Sequence, residues 1–312
     1  MQLFTFIVSS PMETSSGTDA ENETAANIIN NKMSAYFTFI ISLLLFYPPL
    51  IFKPLIENLF MHDIPANHPR KASLETRGQL VKGFEQGIVC IPGLIAHGRG
   101  EAFDYIFGEK TNHFAQKAIE ASASLLLLAK KPVISVNGNV AALCPGEVVQ
   151  LASLCGAEIE VNLFYRTPER MEAIKKALFA AGARRVLGGE EDEAIIPELF
   201  SERRRVSREG IYSADVVLVP LEDGDRTTAL KKIGKKVIAI DLNPLSVTAK
   251  AADITIVDNV IRALPALCTA VNQLKPKEKH TLEQILAGYN NNMVLGEALE
   301  AISLRMKELA RR

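Results

Sequence analysis

The chain has 312 residues, 48 % hydrophobic and 23 % charged, with a formal net charge of −1. That length supports one large or two modest cores, and the near-neutral balance excludes a nucleic-acid binder held by global charge, so an anionic partner must meet a local cluster of cations. The four cysteines, Cys90, Cys144, Cys155 and Cys268, form no Cys-x-x-Cys pair, which argues against a thiolate metal site or a disulfide framework and for buried thiols in a reducing cytoplasm.

Residues 1–60 differ from the rest. Seven of the 14 phenylalanines fall there, but of the 35 basic residues only Lys32 and Lys53 do. The stretch from Met33 to Phe52 runs twenty residues without a charge, long enough to span a bilayer of about 30 Å at 1.5 Å per residue. Pro48 and Pro49 shorten its helical core, and one lysine on each side gives no orientation bias. The reading preferred is that translation begins at Met61 and that residues 1–60 stand outside the fold. A membrane tether is the second reading, a partner-binding extension the third.

From residue 61 the pattern alternates helix and strand, and a single α/β unit over 61–312 is expected. "ASLETRGQLVKGFEQG" reads as a helix with Ser73 as N-cap and Gly87 as its stop. "GLIAHGRGEAFDY", residues 93–105, reads as a flexible, charged loop. A long helix over "NHFAQKAIEASASLLLLAKK" ends before Pro132, followed by strand "PVISV", helix "PGEVVQLASLC", strand "AEIEVNLF", helix "PERMEAIKKALFAAG" and a short strand "RRVLG". The arginine-rich stretch "EEDEAIIPELFSERRRVSREGIYS" is expected to be irregular. Strand "ADVVLVPL", helix "DRTTALKKIG", strands "KKVIAIDL" and "DITIV" and a helix from about Asn259 to Leu274 complete the unit. Strand runs that are continuous and β-branched belong to a sheet covered on both faces, and single-helix crossovers make it parallel and doubly wound. The tail reads as two helices around "GYNNN". In the second, Leu295, Leu299, Ile302, Met306 and Leu309 form an apolar stripe that packs on its own domain or serves as a dimer seam.

In an open parallel sheet, ligands bind beyond the carboxyl ends of the strands. Here the strands are left through Asn137–Asn139, Tyr165–Thr167, Glu222–Thr227 and Asp241–Pro244, all rich in amides, carboxylates or arginine. The site is expected at that rim. No Gly-x-x-x-x-Gly-Lys-Ser/Thr loop occurs, and Gly98-x-Gly100 has Phe103 where a dinucleotide fingerprint needs its third glycine. Asp241, directly after a strand, suits ribose hydroxyls. Gly98 and Gly100 would let a backbone approach a phosphate, with His97 and Arg99 supplying positive character. Arg166 and Arg170 at a helix start are unfavourable against the dipole unless an anion is near.

The strings "IPANHPR", "GLIAHGRGEAFDY", "PVISVNGNVAAL", "EVNLFYRTPER", "ADVVLVPLEDGDRT", "AIDLNPLS" and "ADITIVDNVIRALP", in this order, resemble the archaeal phosphopantothenate synthetase family, the 4-phosphopantoate–β-alanine ligases of coenzyme A biosynthesis. The resemblance covers about Met61 to Leu274. It implies a Rossmann-like core with helices on both faces and C-terminal helices, a homodimer, and an ATP-dependent amide synthesis yielding AMP and pyrophosphate through a phosphopantoyl adenylate. It places ATP contacts at Arg77, Arg99, Asp241, Leu242, Asn243, Val247, Thr248, Asn259 and Val260. Relatives often carry arginine where this chain has Val247, so a side-chain contact there is lost.

Forming an amide this way brings two anions together, so the site needs cations and Mg²⁺ between them. Arg77 and Arg99 are candidates for neutralising ATP. His97, Arg226 and the amides of Asn137 and Asn139, with Arg166 beside them, are candidates for the 4-phosphopantoate end. Glu222, Asp223 and Asp225 would hold Mg²⁺ or the β-alanine ammonium, and Glu101 would pair with an arginine or act as a base. Two other classes share the fold: a nicotinamide-dependent oxidoreductase, disfavoured by the broken glycine pattern, and a nucleotide sensor without catalysis.

Overall fold

The computed structural model describes residues 64–189, 192–221 and 223–311; expectations about residues 1–60 and about Glu222 lie outside the described residues. Among the described residues no helix is long and apolar enough to cross a membrane. Two helices, α1 (Lys71–Glu85) and α2 (Ile91–Phe107), precede α3 (His113–Leu128) and the first strand, β1 (Pro132–Val136). Then follow α4 (Gly138–Leu143), α5 (Pro145–Cys155), β2 (Glu158–Val161) and α6 (Pro168–Ala180). A hairpin, β3 (Glu193–Ile195) and β4 (Arg205–Ser207), leads to β5 (Val216–Val219), α7 (Gly224–Lys232), β6 (Lys236–Ile240), α8 (Val247–Ala251), β7 (Ile254–Ile256) and α9 (Val260–Leu274). The chain closes with α10 (Lys279–Ala287) and α11 (Asn291–Leu309).

Five strands form one parallel sheet in the order β2-β1-β5-β6-β7, as the continuous β-branched runs require. All five residues of β1 are buried. One face, with Ile134, Val136, Leu218, Ile238 and Ile240, joins the larger core, to which α3, α5, α6 and α9 contribute Leu126, Leu151, Ile174 and Leu267. The other face, with Val133, Val217, Val219 and Val237, packs on Ile196, Val206, Ile211 and Leu230 in a smaller core.

The sequence reading needs several corrections. Ser73 does not cap α1: the N-cap is Arg70, without a side-chain bond, and the Ser73 hydroxyl donates to Glu101. "RRVLG" makes only a bridge to β2, with Leu187 N–H donating to Ile159 O at 2.8 Å. Gly188, at φ +107°, turns the backbone away there. The stretch expected to be irregular instead contains the antiparallel β3–β4 pair, with Glu193 opposite Ser207. In α11 the stripe is only half covered: Leu295 is buried, whereas Leu299, Met306 and Leu309 are exposed.

Beneath this hairpin lies Glu160, fully buried on β2. Its two carboxylate oxygens accept from Ser207 N–H at 3.0 Å and Ile211 N–H at 2.6 Å. Burial pushes its carboxyl up to about 7, against the opposing pull of those amides and of Arg226. A carboxyl raised above its unfolded value near 4.5 contributes stability that is present below that value and is lost as pH rises through about 7. Urea unfolding should therefore show a midpoint that falls between pH 5 and 8. Glu160→Gln should flatten that slope by an amount on the order of 3 kcal/mol over the range. Parallel slopes for the two proteins would refute the assignment.

Candidate functional site

Beyond the carboxyl ends of the sheet lies a cavity of about 320 Å³. Every strand of the parallel sheet sends its exit turn there: Asn137–Asn139 after β1, Leu163–Tyr165 after β2, Leu221 after β5, Asp241–Asn243 after β6 and Asp258–Val260 after β7. The chain leaves β1 for β2 on one side and later returns to β5 on the other, so the cavity opens at the topological switch point. Helix α2 forms a further wall through Gly93, Ala96, His97, Arg99, Gly100 and Glu101.

The expected loop at 93–105 is thus a helix. Pro92 stands in its first turn and Gly108, at φ +91°, ends it. Packing overrides the glycines: Leu94, Phe103 and Phe107 seat its inner face in the larger core. Gly93 is required, because a Cβ there would lie 2.4 Å from Asn139 Oδ1, and the Asn139 amide donates to Gly93 O at 2.8 Å. Inside a helix the N–H groups are committed, so Gly98 and Gly100 cannot cradle a phosphate as a loop would. Nor does His97 supply charge. Burial lowers its pKa from the ordinary value of 6.5, with Glu101 opposing, and leaves the imidazole neutral at pH 7. Gly98-x-Gly100 in a helix interior is also no strand-to-helix dinucleotide turn, which removes the structural context a nicotinamide fingerprint needs.

One end of the cavity is cationic. Arg170 lines it from the first turn of α6, held by bonds to Ile88 O at 3.0 Å and Tyr165 O at 2.7 Å. Arg203 lines it from the turn before β4 and pairs with Asp223; its buried Nε finds no hydrogen-bond partner among the described residues. Arg226 lies behind the cavity, fully buried, donating to Ser135 Oγ and to Asn162 Oδ1 at 2.9 Å, with Nε 3.0 Å from Asp223. Burial pushes Arg203 down from the ordinary arginine value, as do the Arg226 and Arg170 guanidiniums. Two guanidiniums, those of Arg203 and Arg226, meet at Asp223.

At the other end the Asp241 carboxylate accepts from Asn243 N–H at 2.8 Å and from Ser246 Oγ, which pins the turn after β6. Asn243 Oδ1 in turn accepts from Leu245 N–H at 3.0 Å. Asn259 caps α9 and donates its amide to Asp104 Oδ2 at 2.9 Å.

Of the residues expected from the sequence, the cavity gathers His97, Arg99, Glu101, Asn137, Asn139, Asp241, Leu242, Asn243, Asn259 and Val260. Arg77 stands just outside it, donating to both oxygens of Glu101 at 2.8 Å. Glu101 also accepts from Ser73 and from Tyr105 Oη at 3.1 Å, so it is an arginine counterion rather than an open base. Burial raises its pKa, but these donors outweigh that and hold the carboxyl below its usual value. Arg166 points away and donates to Gly188 O at 3.2 Å. Val247 is exposed outside the cavity, and Thr248 Oγ1 is taken by Asp223 N–H at 2.8 Å. Asp223, Asp225 and Arg226 do not line it either: Asp223 caps α7 and is paired with arginines, Asp225 is exposed on α7, and Arg226 is walled off. These acids do not fit a Mg²⁺ site, and no group of three potential ligands occurs among the described residues. Sequence reasoning missed Arg203 and Asp258. The signal for Arg203 was the cluster Arg203–Arg205 in an otherwise unassigned stretch.

A parallel α/β sheet with a cavity at its switch point, lined by arginines at one end and by acidic and amide side chains at the other, defines a binder of small molecules. The model of the phosphopantothenate/pantothenate synthetase family matches residues 114–305. The chain is 51 % identical over 250 residues to a 4-phosphopantoate–β-alanine ligase of Methanosarcina mazei, covering 80 % of this chain and 98 % of the relative. It is 48 % identical to ligases of the same name from Thermococcus onnurineus, over 80 % of this chain and 96 % of that protein, and Methanospirillum hungatei, over 78 % and 98 %. The chain belongs to the phosphopantothenate/pantothenate synthetase family.

Two glycines of α2 make opposite predictions. Gly93→Ala should displace the Asn139 amide and cost about 1–3 kcal/mol. Gly98→Ala meets nothing within 4 Å and should gain about 0.5–1 kcal/mol of helix stability. Thermal midpoints of the two variants check this; equal shifts would remove the steric argument.

Proposed function

We propose that this chain is an ATP-dependent ligase that joins the carboxylate of 4-phosphopantoate to the amine of β-alanine, giving 4′-phosphopantothenate, AMP and pyrophosphate in coenzyme A biosynthesis. One observation carries the reading: a single cavity has paired arginines at one end and the Asp241–Asn243 and Asn259–Val260 turns at the other. The name shared by the relatives supports the substrates. The catalytic unit is residues 61–312, consistent with 80 % of this chain covering 98 % of the Methanosarcina relative. The 4-phosphopantoate phosphate belongs at Arg170 and Arg203, beside Asn137 and Asn139, and the nucleotide at Arg99, Asp241 and the start of α9. The exposed half of the α11 stripe is read as a homodimer face.

Between these ends the substrate carboxylate faces the α-phosphate. Its oxygen attacks phosphorus, the bond to the β-phosphate oxygen breaks and pyrophosphate leaves, giving the acyl adenylate. The neutral β-alanine amine then attacks the acyl carbon, loses a proton and expels AMP. Two anions must approach, so Arg99, with Arg77 behind it on Glu101, screens their repulsion. Neutral His97 is placed to take the amine proton. Mg²⁺ enters with the nucleotide, as phosphates commonly hold it. The described acids add no ligand set.

Incubation with ATP, Mg²⁺, 4-phosphopantoate and β-alanine should release AMP, read by phosphorus NMR. ADP would indicate an acyl phosphate instead, and no product would sink the ligase reading. Arg99→Ala should lower turnover at least tenfold with the fold intact, in line with roughly 10²–10³ for a positioned group. Arg203→Met should raise the KM for 4-phosphopantoate roughly 10–100-fold, as expected for a lost charge-assisted contact, and leave that for ATP within about threefold. A change confined to ATP would reverse the assignment of the two ends.

A further inference from the structure

Behind the nucleotide end stands a charge network that the reaction just described does not use. Asp104, near the end of α2, and Asp258, in the turn between β7 and α9, are both buried. Arg262, in the first turns of α9, reaches both. It donates to Asp104 through Nη1 at 3.1 Å and through Nη2, and to Asp258 Oδ1 through Nε at 2.9 Å and Nη2 at 2.7 Å. The other donors complete the set. The Asn259 amide gives to Asp104 Oδ2 at 2.9 Å, Asn259 N–H to Asp258 Oδ1 at 2.7 Å, and Thr111 Oγ1 to Asp258 Oδ2 at 2.6 Å. All four carboxylate oxygens are therefore engaged.

We infer that Arg262 is a positioning residue for the nucleotide end of the cavity, clamping α2, which carries Arg99, to the turn that carries Asn259 and Val260. The inference rests on the nucleotide reading proposed above. Two buried carboxylates around one guanidinium are a poor way to gain stability, because desolvation offsets most of the attraction and an apolar trio of similar volume does as well. Such a network does fix geometry: a planar guanidinium bonded to two carboxylates leaves little freedom in the separation of the segments that bear them. The segments here are the two walls that face each other across the nucleotide end, and Asp258 and Asn259 themselves line the cavity. The Asn259 side chain is locked by the same network, its Nδ2 on Asp104 and its Oδ1 accepting Ile261 N–H at 3.3 Å. The backbone at the start of α9, where Val260 lines the cavity, is thus held in a set direction. The cationic end is built by β1, α6, α7 and the turn before β4, which this clamp does not touch. Loosening it should affect one ligand and not the other.

The test compares the full-length protein with Arg262→Met, Arg262→Lys and Asp104→Asn. ATP binding with Mg²⁺ is read by calorimetry, and the KM of each substrate and kcat by the AMP assay. Arg262→Met should weaken ATP binding and raise its KM at least tenfold, with the KM for 4-phosphopantoate within about twofold. Arg262→Lys, a point charge that serves one carboxylate well but not two, should recover part of the loss. Asp104→Asn should weaken ATP binding in the same direction without disturbing Asp258. Unchanged ATP affinity in the variants, or a parallel rise in both KM values that follows a fall in thermal midpoint, overturns the inference. Should Arg262→Met not fold, the lysine and asparagine variants decide by the same criteria. Failure of the unaltered protein to bind ATP overturns the nucleotide reading and this inference together; normal binding that the variants share overturns only this inference.

Discussion

A fully buried guanidinium ties the floor of the cavity together. Arg226 reaches Ser135 on β1, Asn162 just past β2 and Asp223 at the start of α7. Such a charge is tolerable only if its partners are fixed, and these sit in β1, in the exit turn of β2 and in the turn between β5 and α7. Its burial lowers its pKa to about 10, which still leaves it charged at neutral pH. Asp223, drawn onto Arg226, in turn seats Arg203 at the cavity wall. The side chain that was expected to do chemistry instead holds in place one that lines the cavity.

The two ends of the cavity are built by different means. The cationic end depends on nonlocal pairing. The β3–β4 hairpin sits over buried Glu160, and Arg203 arrives from the turn that joins its strands. The opposite end depends on strand exits followed at once by capped turns, with Asp241 and Asn259 each spending side-chain oxygens on local backbone. Neither end needs the other to form. Helix α2 closes the space between them.

Much of this was legible in the chain. Runs such as "PVISV" and "VVLV" are continuous and β-branched, and only a parallel sheet buried on both faces consumes them. The exits at Asn137–Asn139 and Asp241–Asn243 were legible for the same reason, since strand ends locate the rim. The character of residues 93–105 was not. Three glycines predict a loop by propensity, yet the close fit of Gly93 on Asn139 and the packing of partly buried Phe103 and buried Phe107 on the core make a helix. Arg166 and Arg170 look alike in sequence, and only their placement on and before α6 decides that Arg170 alone lines the cavity.

From the order of its residues alone, the chain determines its sheet, its rim and, through long ordered strings, its family. These depend on local patterns of burial and turn formation, which are written into neighbouring residues. The tertiary structure decided which charges line the cavity: Arg203 rather than Arg226, Arg170 rather than Arg166, and Glu101 as a counterion rather than a base. Those choices depend on contacts between residues far apart in the chain, such as Asp223 with Arg203 and Glu101 with Arg77, which no local pattern encodes.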